Sequence, residues 1–260
     1  MGRSVRVQAF VLGTVDYGER DRVVSMLSRE RGKLSAFARG ARVSRKRFGG
    51  ALEPFNLLAA ELRERPGADL WTLEDVTVER AFGGIRADLA RIACASYASE
   101  LARELVRDAE PHLDLFDLVG RYFERLDAGP AHPWDLRGFE LGALWAAGLM
   151  PRLDACARCG TTVGLGAPGG HGEGTIRFDP AHGGVLCPAC RGLSSTAGRD
   201  ARAATLAALV GLQSGSGDAP PPGASGGEAR ELMTAYIEHQ LGRRLQARRF
   251  LDEIGPVLGS

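Results

Sequence analysis

The chain has 260 residues, 44% hydrophobic and 25% charged, with a formal net charge of +1, an ordinary globular composition that suffices for one large or two to three small domains. No apolar run reaches the roughly 20 residues of a membrane-spanning helix, and the N-terminal MGRSVRVQAF has neither an apolar signal core nor a Ser or Thr at position 6 for myristoylation. A cytoplasmic location is expected, where the five cysteines read as metal ligands or buried thiols in place of disulfides.

From residue 5 to about 80 the chain alternates with a period of two. Val5, Val7, Ala9 and Val11 form a first strand, and a turn follows at Asp16–Glu19. Val23, Val24, Met26 and Leu27 form a second, and Leu34, Ala36 and Ala38 a third. A fourth run spans Leu52 to Leu62, and Leu70, Trp71, Leu73, Val76 and Val78 form a fifth. Five short strands with turn signals between them predict a small barrel of the OB type, a fold that binds single strands in a basic groove with aromatic stacking.

Between the third and fourth strands lies the basic part of Arg31–Leu52. This stretch carries Arg31, Lys33, Arg39, Arg42, Arg45, Lys46 and Arg47, contains no Asp or Glu, and holds both of the chain's lysines. Because the whole chain is near neutral, this is a local cluster. Like charges held together call for a polyanion, and each neutralised phosphate releases a counterion. Phe37 and Phe48 lie in this stretch as candidates for stacking on bases or for the core.

From Asp88 the period becomes helical. Leu89, Ala93, Tyr97, Leu101 and Leu105 mark one amphipathic helix, with Cys94 a small core residue inside it. Pro111 opens a second helix through Phe123, closed by Gly129-Pro130, and a third runs from about Pro133 to Leu149. Then come Cys156-x-x-Cys159 and Cys187-x-x-Cys190. Two such pairs supply four thiolates, the tetrahedral set of a structural zinc, and Gly160 suits the tight turn after the first pair. The gap between the pairs exceeds the roughly 15–20 residues of common ribbons, and the Gly-rich 164–174 accounts for it. Four cysteines close the metal, so catalysis by it is not expected. His171 and His182 are expected to be exposed.

Ala201–Leu212 reads as a helix, 211–227 as a Gly/Pro/Ser loop, and Glu228–Arg249 as one last helix ending in Arg243, Arg244, Arg248 and Arg249. Four cations exceed what capping a helix dipole needs, which points to an acidic partner. The carboxylates of the helices read as surface pairs with neighbouring arginines. The sequence has no phosphate loop, GxSxG, HExxH or dinucleotide fingerprint, so no enzyme class is indicated.

Four stretches resemble the bacterial RecO recombination mediators, in the family's order and across nearly the whole chain. They are GERDRVVSMLSRERGKLSAFARGARVSRKRFGGALEPF (Gly18–Phe55), GLMPRLDACARCG (Gly148–Gly160), GGVLCPAC (Gly183–Cys190) and YIEHQLGRRLQARRFL (Tyr236–Leu251). The resemblance implies binding of single- and double-stranded DNA, annealing of complementary strands, and partnership with RecR to load RecA on strands coated by the single-strand-binding protein SSB. It also implies docking of the acidic SSB C-terminal tail on the helical domain in some members. Some relatives lack the four cysteines, which makes zinc a support of the fold. The family's pattern lacks the insertions at 164–174 and 211–227.

The fold expected is therefore α+β: a five-stranded OB-like barrel over 1–80, then a helical domain over 81–150 and 191–260 with a four-cysteine zinc element inserted at 151–190. Lys33, Arg39, Arg42, Arg45, Lys46 and Arg47 are the candidate nucleic-acid ligands. Cys156, Cys159, Cys187 and Cys190 are the candidate ligands of one structural Zn2+. Arg243, Arg244, Arg248 and Arg249 are the candidate partner site. Neither a membrane nor a small-molecule substrate is expected, and the location is cytoplasmic, at the nucleoid. Competing readings are an RNA-binding OB/zinc-ribbon protein and a zinc hydrolase.

Overall fold

Strand β1 (Ser4–Tyr17) is buried on both faces between Ala9 and Leu12, and this double burial organises the first half of the chain. In the computed structural model, which describes residues 3–44, 47–65, 67, 70–165, 174–216 and 219–254, Val7, Ala9 and Val11 face the inside of a closed barrel. The barrel is completed by β2 (Asp21–Ser28), β3 (Gly32–Ala38), β4 (Leu57–Arg63) and β5 (Trp71–Arg80), in the order β1-β2-β3-β5-β4. All pairs are antiparallel except β3 with β5, joined at Ala36–Trp71 and Phe37–Thr72. Closure removes every free sheet edge, and the interior fills with Val24, Met26, Leu34, Leu58, Leu62 and Leu73. The expected fourth run begins later than the alternation suggests. Leu52 is buried in the barrel from a turn, and the strand itself starts at Leu57.

The outer face of β1 carries Phe10, and helices cover it. α1 (Gly83–Arg86), α2 (Leu89–Leu105) and α3 (Leu113–Ala128) follow the barrel. Phe10 meets Phe116 at 4.9 Å and Phe123 at 5.6 Å, and Phe123 also meets Phe55 and Phe82. Asp88 caps α2 by accepting from Arg91 N–H. Pro111 lies one residue before the His112 N-cap of α3.

The second half holds α4 (Pro133–Ala146), a three-stranded antiparallel sheet, α5 (Ala203–Ser214) and α6 (Gly226–Leu241). The sheet has the order β7-β6-β8 and is built from β6 (Thr175–Asp179), β7 (Gly184–Leu186) and β8 (Arg199–Arg202). These strands are three to five residues long, too short for a periodicity signal to emerge from the sequence. Glu140 of α4 is fully buried and pairs with Arg137 through two 2.9 Å contacts, so this carboxylate is not a surface group.

The expected last helix is two helices. Gly242 takes a left-handed conformation (φ 67°) that ends α6, and α7 (Gln246–Ile254) starts anew. Glu100 of α2 caps α7 by accepting from Gln246 N–H at 2.9 Å and Ala247 N–H at 2.6 Å. By packing, the chain divides into Met1–Ala131 with Gln246–Ile254, and His132–Leu245. The expected segments follow element type; the packing units put α1–α3 and α7 with the barrel. Among the described residues no helix is long and apolar enough to cross a membrane.

Candidate nucleic-acid interface and metal centre

The basic segment leaves β3 at Arg39 and runs through a series of turns, with Phe48 holding it down. Phe48 is 2% exposed inside the barrel, so it is a core residue and does not face a ligand. Arg39, Arg42 and Arg47 are exposed. Arg47 lies over the Phe48 ring at 4.4 Å and donates to Arg39 O at 2.8 Å. Arg42 donates to Gly18 O at 2.8 Å and lies 3.3 Å from Asp16, a carboxylate that Arg22 also holds at 3.0 Å. Gly40 N–H donates to Asp21 Oδ1 at 2.7 Å and Arg42 N–H to Arg20 O at 3.0 Å, which fastens the segment to the β1–β2 turn. Arg45 and Lys46 lie outside the described residues.

An open groove sits where these two turns meet, lined by Tyr17, Gly18, Glu19, Arg20, Asp21, Arg39 and Gly40. Lys33 is not part of it. Its ammonium lies 3.1 Å from Asp108 and donates to Arg103 O at 2.9 Å, and its backbone carbonyl accepts from Ala109 N–H. Lys33 therefore fastens the barrel to the end of α2, a role that the charge pattern alone does not reveal. Tyr17 and Arg20, which line the groove, are residues the sequence reading passed over. Tyr17 falls in the expected Asp16–Glu19 turn and Arg20 just after it, both outside the basic run.

The four cysteines converge. Their sulfur atoms all lie within 4.8 Å of one another, with Cys159 and Cys187 at 3.6 Å. A tetrahedral zinc with bonds of about 2.3 Å sets sulfurs roughly 3.8 Å apart, so the cluster fits. None is in a disulfide. The first knuckle is closed by Gly160 N–H to Cys156 O at 2.9 Å, the second by Cys190 N–H to Cys187 O at 3.0 Å. Arg152 straddles Gly183 and Val185 by two 2.9 Å backbone bonds that hold the knuckles together. A side chain at Gly184 would put its Cβ 2.0 Å from Arg152 O, so only glycine permits this approach.

The thiols are shifted against one another. Burial opposes ionisation of Cys156, yet backbone N–H groups of Cys159, Cys187 and Arg158 outweigh it and bring the thiol down to about 6. Thr161 lowers Cys159. Burial, followed by the neighbouring sulfurs, pushes Cys190 up to about 12. Four sulfurs this close do not all ionise unless a cation is among them. Cys156, Cys159, Cys187 and Cys190 would hold the ion with no protein-free position, an arrangement that braces the fold.

Beside this centre, Asp179 is fully buried. It accepts from Ser195 Oγ at 2.7 Å, Ser195 N–H at 2.5 Å, Ser194 Oγ at 3.0 Å and Ala181 N–H at 3.0 Å, with His182 Nδ1 also 3.0 Å away. Burial alone would raise its pKa; these donors reverse that and hold it well below the usual carboxylate range. His182 is thus half-buried and engaged, not a free turn residue, and His171 lies outside the described residues.

The C-terminal arginines divide between the two packing units. Arg243 and Arg244 belong to the His132–Leu245 unit, with Arg244 3.4 Å from Glu238. Arg248 and Arg249 belong to α7 in the barrel unit. Arg248 is 4% exposed and paired with Asp252 at 3.0 Å, whereas Arg249 is exposed. The break at Gly242 leaves Arg243 and Arg244 between the helices and Arg248 and Arg249 on α7.

The family model described as "Recombination protein O N terminal" matches residues 1–82, and "Recombination protein O C terminal" matches 86–249. The chain belongs to the RecO family. Proteins named "DNA repair protein RecO" are 60% identical to it in Anaeromyxobacter sp. (strain K), covering 98% of this chain and 99% of the relative, and 46% in Myxococcus xanthus, covering 95% and 96%. The RecO of Geobacter sulfurreducens is 37% identical over 97% of this chain and 99% of its own. The RecO N-terminal match coincides with the OB-like barrel.

Proposed function

We propose that this RecO-family chain is a non-catalytic DNA-binding mediator of repair and recombination. Its barrel holds single- and double-stranded DNA by the phosphates, through Arg39, Arg42 and Arg47 together with Arg45 and Lys46. Lys33, also a candidate, is half-buried against the end of α2 and lies outside the groove, so it contributes less than the exposed arginines. The observation that carries the reading is the acid-free basic segment fastened beside an open groove on the barrel.

Phosphate-dominated binding is blind to sequence and leaves base edges free. Two strands held this way are relieved of their mutual repulsion and can pair, so annealing needs no reacting side chain. In the cell the chain works in the cytoplasm at the nucleoid. With RecR, it helps to load RecA on SSB-coated strands. One zinc ion at Cys156, Cys159, Cys187 and Cys190 braces the second unit. Arg243 and Arg244, exposed in the second unit, are offered to the acidic SSB tail, and Arg249, exposed on α7 of the barrel unit, is a separate candidate; Arg248 of α7 is buried.

The test replaces Arg39, Arg42, Arg45, Lys46 and Arg47 by Ala and follows DNA affinity across a salt titration. The reading expects weaker binding and a flatter salt dependence; an unchanged titration would contradict it. Competition of single-stranded DNA with an RNA of the same sequence separates this function from an RNA-binding one, because preferential displacement by RNA belongs only to the latter. Titration of an SSB-tail peptide against Arg243→Ala, Arg244→Ala and Arg249→Ala tests the partner site, where equal affinity for all would remove it.

A further inference from the structure

The outer face of the β1–β2 hairpin carries an apolar stripe that the barrel core does not use. The side chains of Val24, Met26, Leu34, Ala36 and Ala38 point inward, so by alternation their neighbours point out. Val15 stands opposite Val23, Tyr17 opposite Asp21, and Val23 opposite Phe37. Val15 is 68% exposed and Tyr17 62%. The Tyr17 and Phe37 rings meet edge-on, 5.6 Å apart at 84°. This contact fixes Tyr17 without covering it. The bulge in β1 between Val11 and Gly13 turns the hairpin past the barrel and puts Val15 and Tyr17 outside.

Two exposed hydrophobic side chains on a strand are a liability unless something covers them. Tyr17 lines the same groove as Arg20 and Arg39. Two carboxylates share that lining, Glu19 and Asp21, of which Asp21 accepts from Gly40 N–H. Arg47, which donates to Arg39 O, adds a third cation at the edge. An aromatic ring beside arginines is complementary to a base next to its own phosphate.

We propose that Tyr17 is a stacking platform for an unpaired base of single-stranded DNA, with Arg20 and Arg39 holding the flanking phosphates. This rests on the barrel being the DNA-binding part. Bases of a duplex have their faces covered by one another, so Tyr17 contributes to single-strand binding alone. The arginines serve both forms. The hairpin thereby discriminates between strand states without reading sequence, since every base has a ring face.

The experiment uses the full chain, an oligo(dT) strand, an abasic strand of the same length, and a duplex. The chain is expected to bind oligo(dT) about fivefold or more tightly than the abasic strand, the scale of one stacked base. Tyr17→Ala should erase that preference, Tyr17→Phe should keep it, and duplex affinity and salt dependence should be the same for all three proteins. Arg39→Ala should weaken both single strands alike and flatten the salt dependence. In Tyr17→Trp, indole fluorescence should be quenched by oligo(dT) and not by the abasic strand; this readout does not depend on the stability of the Ala variant. If Tyr17→Ala retains the oligo(dT) preference, or Tyr17→Trp is not quenched, the stacking role is wrong while salt-sensitive binding through the arginines stands. If neither strand nor duplex is bound by the unaltered chain, the DNA-binding reading falls, and the stacking role with it.

Discussion

Asp179 shows how much one side chain can hold. Five donors from four residues converge on a carboxylate with no exposure to water. Its folded pKa is depressed, so the stability it contributes is fully present above the unfolded value near 4 and is lost as the pH falls below it. Unfolding of the chain followed between pH 6 and 3 should show stability dropping below about pH 4, and an Asp179→Asn variant should show a shallower drop. Asp179→Ala removes the acceptor shared by Ser195 and Ala181 N–H and is expected to cost on the order of 2 kcal/mol in denaturant titration. Phe123, wedged among Phe10, Phe55 and Phe82, should cost about 3–5 kcal/mol when truncated to Ala. These effects concern folding and should leave the salt dependence of DNA binding where it was.

At the scale of elements, the sequence was legible where a pattern persists. The five barrel strands and α2–α4 come from sustained periods of two and 3.6, and the candidate metal centre from two Cys-x-x-Cys pairs whose sulfurs the fold brings within 4.8 Å of one another. Short elements were not legible. β6, β7 and β8 are too brief to alternate visibly, and the cap that Glu100 places on α7 joins residues far apart in sequence. The helix break at Gly242 was present in the letters but masked by arginines on either side that suit a helix. Charge in a list of residues does not show partners: Lys33 pairs with Asp108, and the buried Arg248 with Asp252. Gly242→Ala should cost about 1 kcal/mol through its left-handed backbone, measurable as a small loss in thermal stability. For the metal centre, Cys156→Ser or prolonged chelation should release about one equivalent of zinc and lower the melting temperature, as expected of a closed four-sulfur site that supports folding. Retention of the ion by Cys156→Ser would remove that residue from the set.

Across the whole molecule, a near-neutral chain carries one acid-free basic stretch, Arg31–Leu52, whose Arg39, Arg42 and Arg47 are exposed on the OB-like barrel. The chain belongs to a family of DNA repair proteins. On the function proposed above, activity should track the charge of the 39–47 segment and not any single reactive group. The most direct measurement is annealing of complementary strands coated with SSB, with and without RecR, comparing the unaltered chain with the variant carrying Ala at Arg39, Arg42, Arg45, Lys46 and Arg47. The account predicts annealing by the unaltered chain, altered by RecR, and loss of at least tenfold in rate in the variant at unchanged thermal stability. Equal rates for the two proteins would contradict it.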